Sequence, residues 1–342
     1  MLKDIRKVLF IRRDNIGDLI CTTPAFRAAR EKFPNARTGI LVNSYNADAI
    51  KNNPDIDEIY IYQKAKHAPD KSKLSVWLHN ISVLWKIRRE KYDVAIGFGS
   101  YSPTLVRYTA LTGVGTTIGY LKKGTKEQKS YTIPVCEPEG ALHEVERAFS
   151  LLTPLGITGN PDALRVFPAE ADVEKVRRLL AAAGIKTGRP LVAFHISSRR
   201  PENRWPPDKF VELSRLVSDR CGAAILLLWS PGSESNAQHP GDDEKAEYIL
   251  NLTQQQTIAF KTARLGELIA ALSLCALVVC CDGGAMHIAA ALGKPIVTIW
   301  GSTNPDTWRP WAARHVLLQN KSKRADDISV DEALKAVEKL LC

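Results

Sequence analysis

No apolar run in the 342-residue chain is long enough to cross a bilayer. Stretches such as Ala276–Cys281 fall far short of the roughly 20 residues a spanning helix needs. The start, MLKDIRKVLFIRRDN, sets charges on both sides of a four-residue apolar run, which is not the pattern of a secretory leader. A cytoplasmic location is expected. Cysteine is scarce and unpatterned. Cys21, Cys136, Cys221, Cys275, Cys280, Cys281 and Cys342 show no CxxC spacing, and several lie in apolar runs. This excludes a disulfide miniprotein, argues against a zinc site, and predicts reduced, mostly buried thiols. There is no GxGxxG after the first predicted strand, where only Gly17 stands, which counts against a nicotinamide-binding first half. Internal repeats and low-complexity tracts are also missing.

What remains is ordinary globular composition, 45% hydrophobic and 25% charged, at a length that favours two domains. The net charge of +10 favours polyanionic partners: nucleic acid, an anionic membrane surface or a phosphorylated substrate. A nucleic-acid binder would set its charge in a stripe with aromatics. Here Lys and Arg are spread along the chain, with one local cluster at Lys122, Lys123, Lys126 and Lys129. No nucleic-acid partner is expected.

Short β-branched runs alternate with helical patterns. The runs are Val8–Ile11, Gly39–Val42, Ile59–Tyr62, Val94–Phe98, Leu191–His195, Ala224–Trp229, Ala276–Cys281 and Ile296–Trp300. They are continuously apolar, as in parallel strands buried on both faces, so the class is α/β with two doubly wound halves. A strand-poor stretch puts the division near 160–185. The expected domains are 1–165 and 166–328, followed by a closing helix, 329–342, with Ser329 as its N-cap. Sheets of this kind bind ligand beyond the carboxyl ends of their strands, and the expected site is a cleft between the domains.

Four loops stand there. Arg12-Arg13-Asp14-Asn15-Ile16-Gly17-Asp18 precedes a helical pattern over Leu19–Lys32 and offers two carboxylates and two guanidinium groups. Asp18 reads equally as a helix cap or as a catalytic carboxylate. His195–Pro206 precedes a helix over Asp208–Val217 and holds Ser197, Ser198, Arg199, Arg200 and Arg204, suited to phosphate or to a solvated turn. Cys281-Asp282-Gly283-Gly284-Ala285-Met286-His287 opens a helix over Ile288–Leu292, where glycines let a backbone approach an anion. Trp300–Pro305 carries turn residues and is weak alone. Loops two to four make the second half a candidate nucleotide-diphosphate site, with a carboxylate of the first half free to take a proton.

Three motifs in order carry a resemblance. KVLFIRRDNIGDLICTTPAFRAAREKFPNARTGILV resembles the amino-terminal signature of glycosyltransferase family 9, the ADP-heptose:lipopolysaccharide heptosyltransferases. VVCCDGGAMHIAAALGKPIVTIWGSTNPDTWRPW resembles the carboxyl-terminal signature, and HISSRRPENRWPPDKFVEL the loop between them. The resemblance implies a GT-B fold of two Rossmann-like domains. It implies an inverting enzyme, without metal or other cofactor, that moves a heptose or related sugar from an ADP-sugar to a lipopolysaccharide core hydroxyl. The acceptor is then a lipid-linked anionic saccharide, and contact with the inner membrane surface is peripheral. Asp18 matches the catalytic aspartate, with Asp14 its rival. Asp282, Gly283, Gly284 and His287 match the nucleotide-binding turn, Ser197 and Ser198 the phosphate-contacting hydroxyls, and Glu234 the glutamate that meets the nucleoside. Arg13, Lys122, Lys123 and Lys126 are the expected acceptor contacts. One departure is Asn203, where the family often has Lys, so Arg204, Arg199 or Arg200 would supply that charge. A different nucleotide sugar, or a sugar-nucleotide epimerase of the same architecture, is the alternative.

Overall fold

The computed structural model describes residues 4–64, 72–121, 131–185, 188–236, 241–253 and 257–341. The chain divides into two compact units, Met1–Arg165 and Val166–Cys342. In the first, strands β1 (Lys7–Ile11), β2 (Arg37–Asn43), β3 (Glu58–Tyr62), β4 (Val94–Gly97), β5 (Thr116–Leu121) and β6 (Ile133–Cys136) form one sheet in the order β3-β2-β1-β4-β5-β6. In the second, β7 (Leu191–His195), β8 (Ala224–Trp229), β9 (Thr257–Lys261), β10 (Leu277–Cys281), β11 (Ile296–Trp300) and β12 (His315–Gln319) run β12-β11-β10-β7-β8-β9. Every pairing in both sheets is parallel. The two units therefore share one topology. In each, the order reverses between the first and fourth strands, β1/β4 and β7/β10, and the crevice at such a reversal is where doubly wound sheets bind ligand.

All eight runs read from the sequence are strands. The four others, β5, β6, β9 and β12, include three edge strands. An edge strand is covered incompletely, so β6, β9 and β12 show half-buried residues in place of a continuous apolar run. The helical pattern expected over Leu19–Lys32 is two helices, Ile16–Cys21 and Thr23–Lys32. Thr22 caps the first, and Pro24, which has no N–H to donate, is accommodated in the first turn of the second.

Each unit has its own core. Phe10, Phe26 and Phe98 stack together in the first, with ring centroids 4.8 to 6.1 Å apart. In the second, Trp205 packs edge-on to Phe210 and donates its indole N–H to the Ile328 carbonyl at 3.0 Å. That bond ties the loop after β7 to the closing helix, Val330–Leu341, whose Ala333, Leu334, Ala336 and Val337 are buried in the same core as Val297 and Ile299. Ser329 and Glu332 exchange hydrogen bonds at its start, a capping box worth about 1 kcal/mol. Cys21, Cys275, Cys280 and Cys281 are buried and in no disulfide, and burial pushes Cys275 up to about 12. Among the described residues no helix is long and apolar enough to cross a membrane.

Candidate active site

The loop after β1 is built around a buried cation. Arg12 is 1% exposed, and its Nη2 donates to Asp18 Oδ1 at 3.0 Å and to Glu144 Oε1 at 2.7 Å. Its Nε lies 3.4 Å from Asp14 Oδ2. Burial alone lowers the Arg12 pKa, and the three carboxylates more than reverse this. Burial raises the pKa values of Glu144 and Asp14, against the pull of Arg12. Asp18 stands at the third position of the helix Ile16–Cys21. Its Oδ2 accepts from the Asn15 backbone N–H and side-chain amide, both at 3.0 Å. Asp18 is therefore a cap as well as a carboxylate at the sheet's reversal point. Asp14 is the freer of the two, with its side chain 48% exposed against 15% for Asp18. Gly99, just beyond β4, closes against this loop, where a Cβ would lie 3.0 Å from Asp14 Oδ2.

Arg13 turns the other way. Its guanidinium lies 3.6 Å from the Tyr108 ring centroid and 5.0 Å from that of Tyr62. The loop backbone is pinned by the buried Asn43, which donates to the Arg13 and Asp14 carbonyls at 3.0 and 2.9 Å, and by Asn46 at 3.2 Å. Asn43 and Asn46 stand at the carboxyl end of β2 and in the loop after it, but carry no charge to mark them, whereas Glu144 opens a helix and follows no strand end. The first-turn position of Glu144, after His143 as N-cap, is the one local signal it carries. Lys122, Lys123 and Lys126 lie outside the described residues.

In the second unit the loops after β7, β10 and β11 converge. Asn203 is 1% exposed and donates to Asp282 Oδ2 at 2.9 Å and Thr303 Oγ1 at 3.2 Å, while its Oδ1 accepts from the Gly301 N–H at 3.1 Å. Thr303 Oγ1 also donates to Asp282 Oδ2 at 2.7 Å. Gly301 permits this closeness, since a Cβ there would lie 2.1 Å from the Glu202 carbonyl oxygen. Asn203 thus clamps three loops where a Lys would project a charge. Asp282 is held in that clamp, and burial raises its pKa. Next to it, Gly283 has φ 158° and ψ −169°, a conformation open to glycine and very few other residues. It opens the helix Gly284–Ala291, so the first-turn amides of that helix face the β7/β10 reversal. His287 is buried in the first turns of the helix, edge-on to Trp308 with centroids 6.0 Å apart.

The hydroxyl loop lies alongside. Ser198 Oγ donates to the Asp282 carbonyl at 3.4 Å, and Ser197 Oγ accepts from the Ser230 N–H at 2.9 Å. Arg204 Nε donates to the Ser198 carbonyl at 3.0 Å, and its Nη1 meets Glu234 Oε1 at 2.5 Å. Arg204 and Glu234 are therefore paired with each other, which leaves Arg199 and Arg200 as the exposed cations of this loop. Two residues not named as site residues from the sequence lie beside this loop. Asp242 is buried beside Ser197, and Lys245 donates to the Ile196 and Trp205 carbonyls at 3.2 and 2.8 Å. Burial raises Asp242 and lowers Lys245.

The family model for glycosyltransferase family 9 (heptosyltransferase) matches residues 81–337. Lipopolysaccharide heptosyltransferase 3 of Escherichia coli K12 is 28% identical over 344 aligned residues, covering 95% of each chain. In three dimensions the chain is similar to the family 9 glycosyl transferase of Veillonella parvula, with a TM-score of 0.84 at 22% identity over 100% of this chain and 98% of that one. It is also similar to E. coli heptosyltransferase WaaC solved with ADP, with a TM-score of 0.77 at 17% identity over 97% and 99%. A UDP-GlcNAc 2-epimerase of Methanocaldococcus jannaschii aligns with a TM-score of 0.50 at 16% identity, over 98% of this chain and 92% of that one. Two parallel six-stranded sheets of identical topology and a family match over most of the chain lead to one assignment: this is a GT-B-fold glycosyltransferase belonging to glycosyltransferase family 9, the heptosyltransferase family.

Proposed function

We propose that the enzyme transfers heptose from ADP-heptose to a hydroxyl of a lipopolysaccharide core acceptor, with inversion and without a metal ion. The observation that carries this reading is the turn at Gly283-Gly284. It places the amino end of a helix at the β7/β10 reversal, beside Ser197 and Ser198. Helix amides and hydroxyls bind a diphosphate, and Arg199 and Arg200 add charge for the leaving group. E. coli heptosyltransferase WaaC has been solved with ADP and with ADP-2-deoxy-2-fluoro heptose, which supports an ADP-sugar as donor. The relatives named for lipopolysaccharide support the acceptor class.

The acceptor oxygen attacks the anomeric carbon as the carbon–oxygen bond to the diphosphate breaks, and ADP leaves. Asp18 takes the acceptor proton, and Arg12 and Asn15 fix the orientation of its carboxylate. General-base catalysis of this kind contributes 10²–10⁴-fold. The test is ADP release from ADP-heptose with a core acceptor. Asp18→Asn lowers kcat about 10²-fold or more, with ADP binding and the folded state retained. Near-normal turnover in Asp18→Asn with loss in Asp14→Asn moves the role to Asp14. EDTA leaves turnover unchanged, and a loss restored by Mg²⁺ or Mn²⁺ contradicts the metal-free reading.

A further inference from the structure

The helix Lys73–Glu90 of the first unit is apolar on two faces. The inner face needs no explanation. Val76, Val83 and Ile87 are buried, the last two in a cluster with Leu9, Ile11, Tyr60, Tyr62 and Tyr92, and Asn80 bonds both the N–H and the carbonyl of Gln63. The outer face does. Leu74, Trp77, Leu78, Ile81 and Trp85 are 64%, 59%, 53%, 42% and 56% exposed. At 100° per residue they share an arc about 100° wide, opposite the buried residues. The stripe is about 16 Å long at the helical rise, far less than a hydrocarbon core about 30 Å thick.

Its border is basic. Lys73, Lys86, Arg88 and Arg89 are exposed, and no acidic residue occurs from Lys73 to Arg89. Glu90, which follows, is paired with Lys7 at 3.1 Å and Arg37 at 3.2 Å. The Arg89 guanidinium lies 4.5 Å from the Trp85 ring centroid. Tryptophan and leucine within a rim of lysine and arginine is the composition of a helix lying in the plane of an anionic lipid interface.

We propose that this face seats the first unit flat on an anionic bilayer, which deepens the proposed function by fixing how a lipid-linked acceptor is approached, and rests on it for that role. On this helix every charged residue from Lys73 to Arg89 is basic, which singles out an anionic lipid surface over a protein partner or a second copy. The test is flotation with vesicles of phosphatidylcholine, alone or mixed with phosphatidylglycerol. The wild type floats with the mixed vesicles. A Trp77→Ser/Leu78→Ser/Trp85→Ser variant binds them at least about tenfold more weakly, with an unchanged melting temperature. Arg88→Gln/Arg89→Gln weakens binding to the mixed vesicles only, as added salt does. Failure of the wild type to float, or equal flotation of the apolar variant, overturns the proposal. So does self-association of the wild type that the variant loses without any difference in flotation. Transfer to a delipidated, water-soluble acceptor is unchanged in the apolar variant. Absence of that transfer in the wild type would refute the reaction and leave the vesicle result standing.

Discussion

Arg12 shows how much one side chain in the β1 loop organises. A buried guanidinium needs anionic partners, and it takes them from its own loop and from Glu144, 132 residues further on. Hydrogen bonds to charged groups contribute about 1.5–3 kcal/mol. Glu144→Gln therefore destabilises the fold by about 2 kcal/mol, read from urea unfolding. It also lets the Asp18 carboxylate shift, so kcat falls while the affinity for ADP, whose proposed site is in the other unit, is unchanged. An unaltered urea midpoint would mean that Asp18 and Asp14 suffice for Arg12. Asn203 makes the same point in the second unit. Its sequence position suggested a missing charge, and its side chain is a clamp holding Asp282, Thr303 and Gly301 together.

At the scale of the element, β7 carries a proton switch of stability. His195 ends the strand buried, with no hydrogen-bond partner for Nδ1 among the described residues. Burial, with Lys245 nearby, lowers its pKa to about 4. The folded state thus disfavours the imidazolium that the unfolded chain forms below about 6.5. Stability from this group is complete above about pH 6.5 and falls as the pH drops toward 4, by a few kcal/mol. The urea midpoint of the wild type should fall more steeply between pH 7 and 5 than that of His195→Leu. Parallel slopes would show that the ring finds a proton acceptor when charged. Most interior strands were legible from their apolar runs, and so was edge strand β3. Interior β5, Thr116–Leu121, was not, since Thr116, Thr117 and Gly119 interrupt its run. The other edge strands, β6, β9 and β12, were not, because their half-covered residues break the apolar run.

For the whole molecule, the division after Arg165 leaves each unit with a complete sheet and its own core. The closing helix adds its apolar face to the second. A fragment of residues 166–342 should fold alone, with a single cooperative transition in calorimetry, and bind ADP with an affinity close to that of the full chain. It should release no ADP from the donor, since the proposed base lies in the other unit. A molten or aggregated fragment would show that the first unit is needed to complete the second.

The sequence by itself determined the α/β class, eight of the twelve strands among the described residues, the loops that stand at the two sheet reversals, and the family. These are local properties: a run of apolar residues, or a motif within some 35 positions, needs no partner to be read. Only the tertiary structure decided that Asp18 shares Arg12 with Glu144, that Arg204 is paired with Glu234, and that Asn203 joins three loops. Each of these depends on side chains that parallel strand order brings together from distant segments, and a crossover connection leaves no record of its partners in the chain it connects.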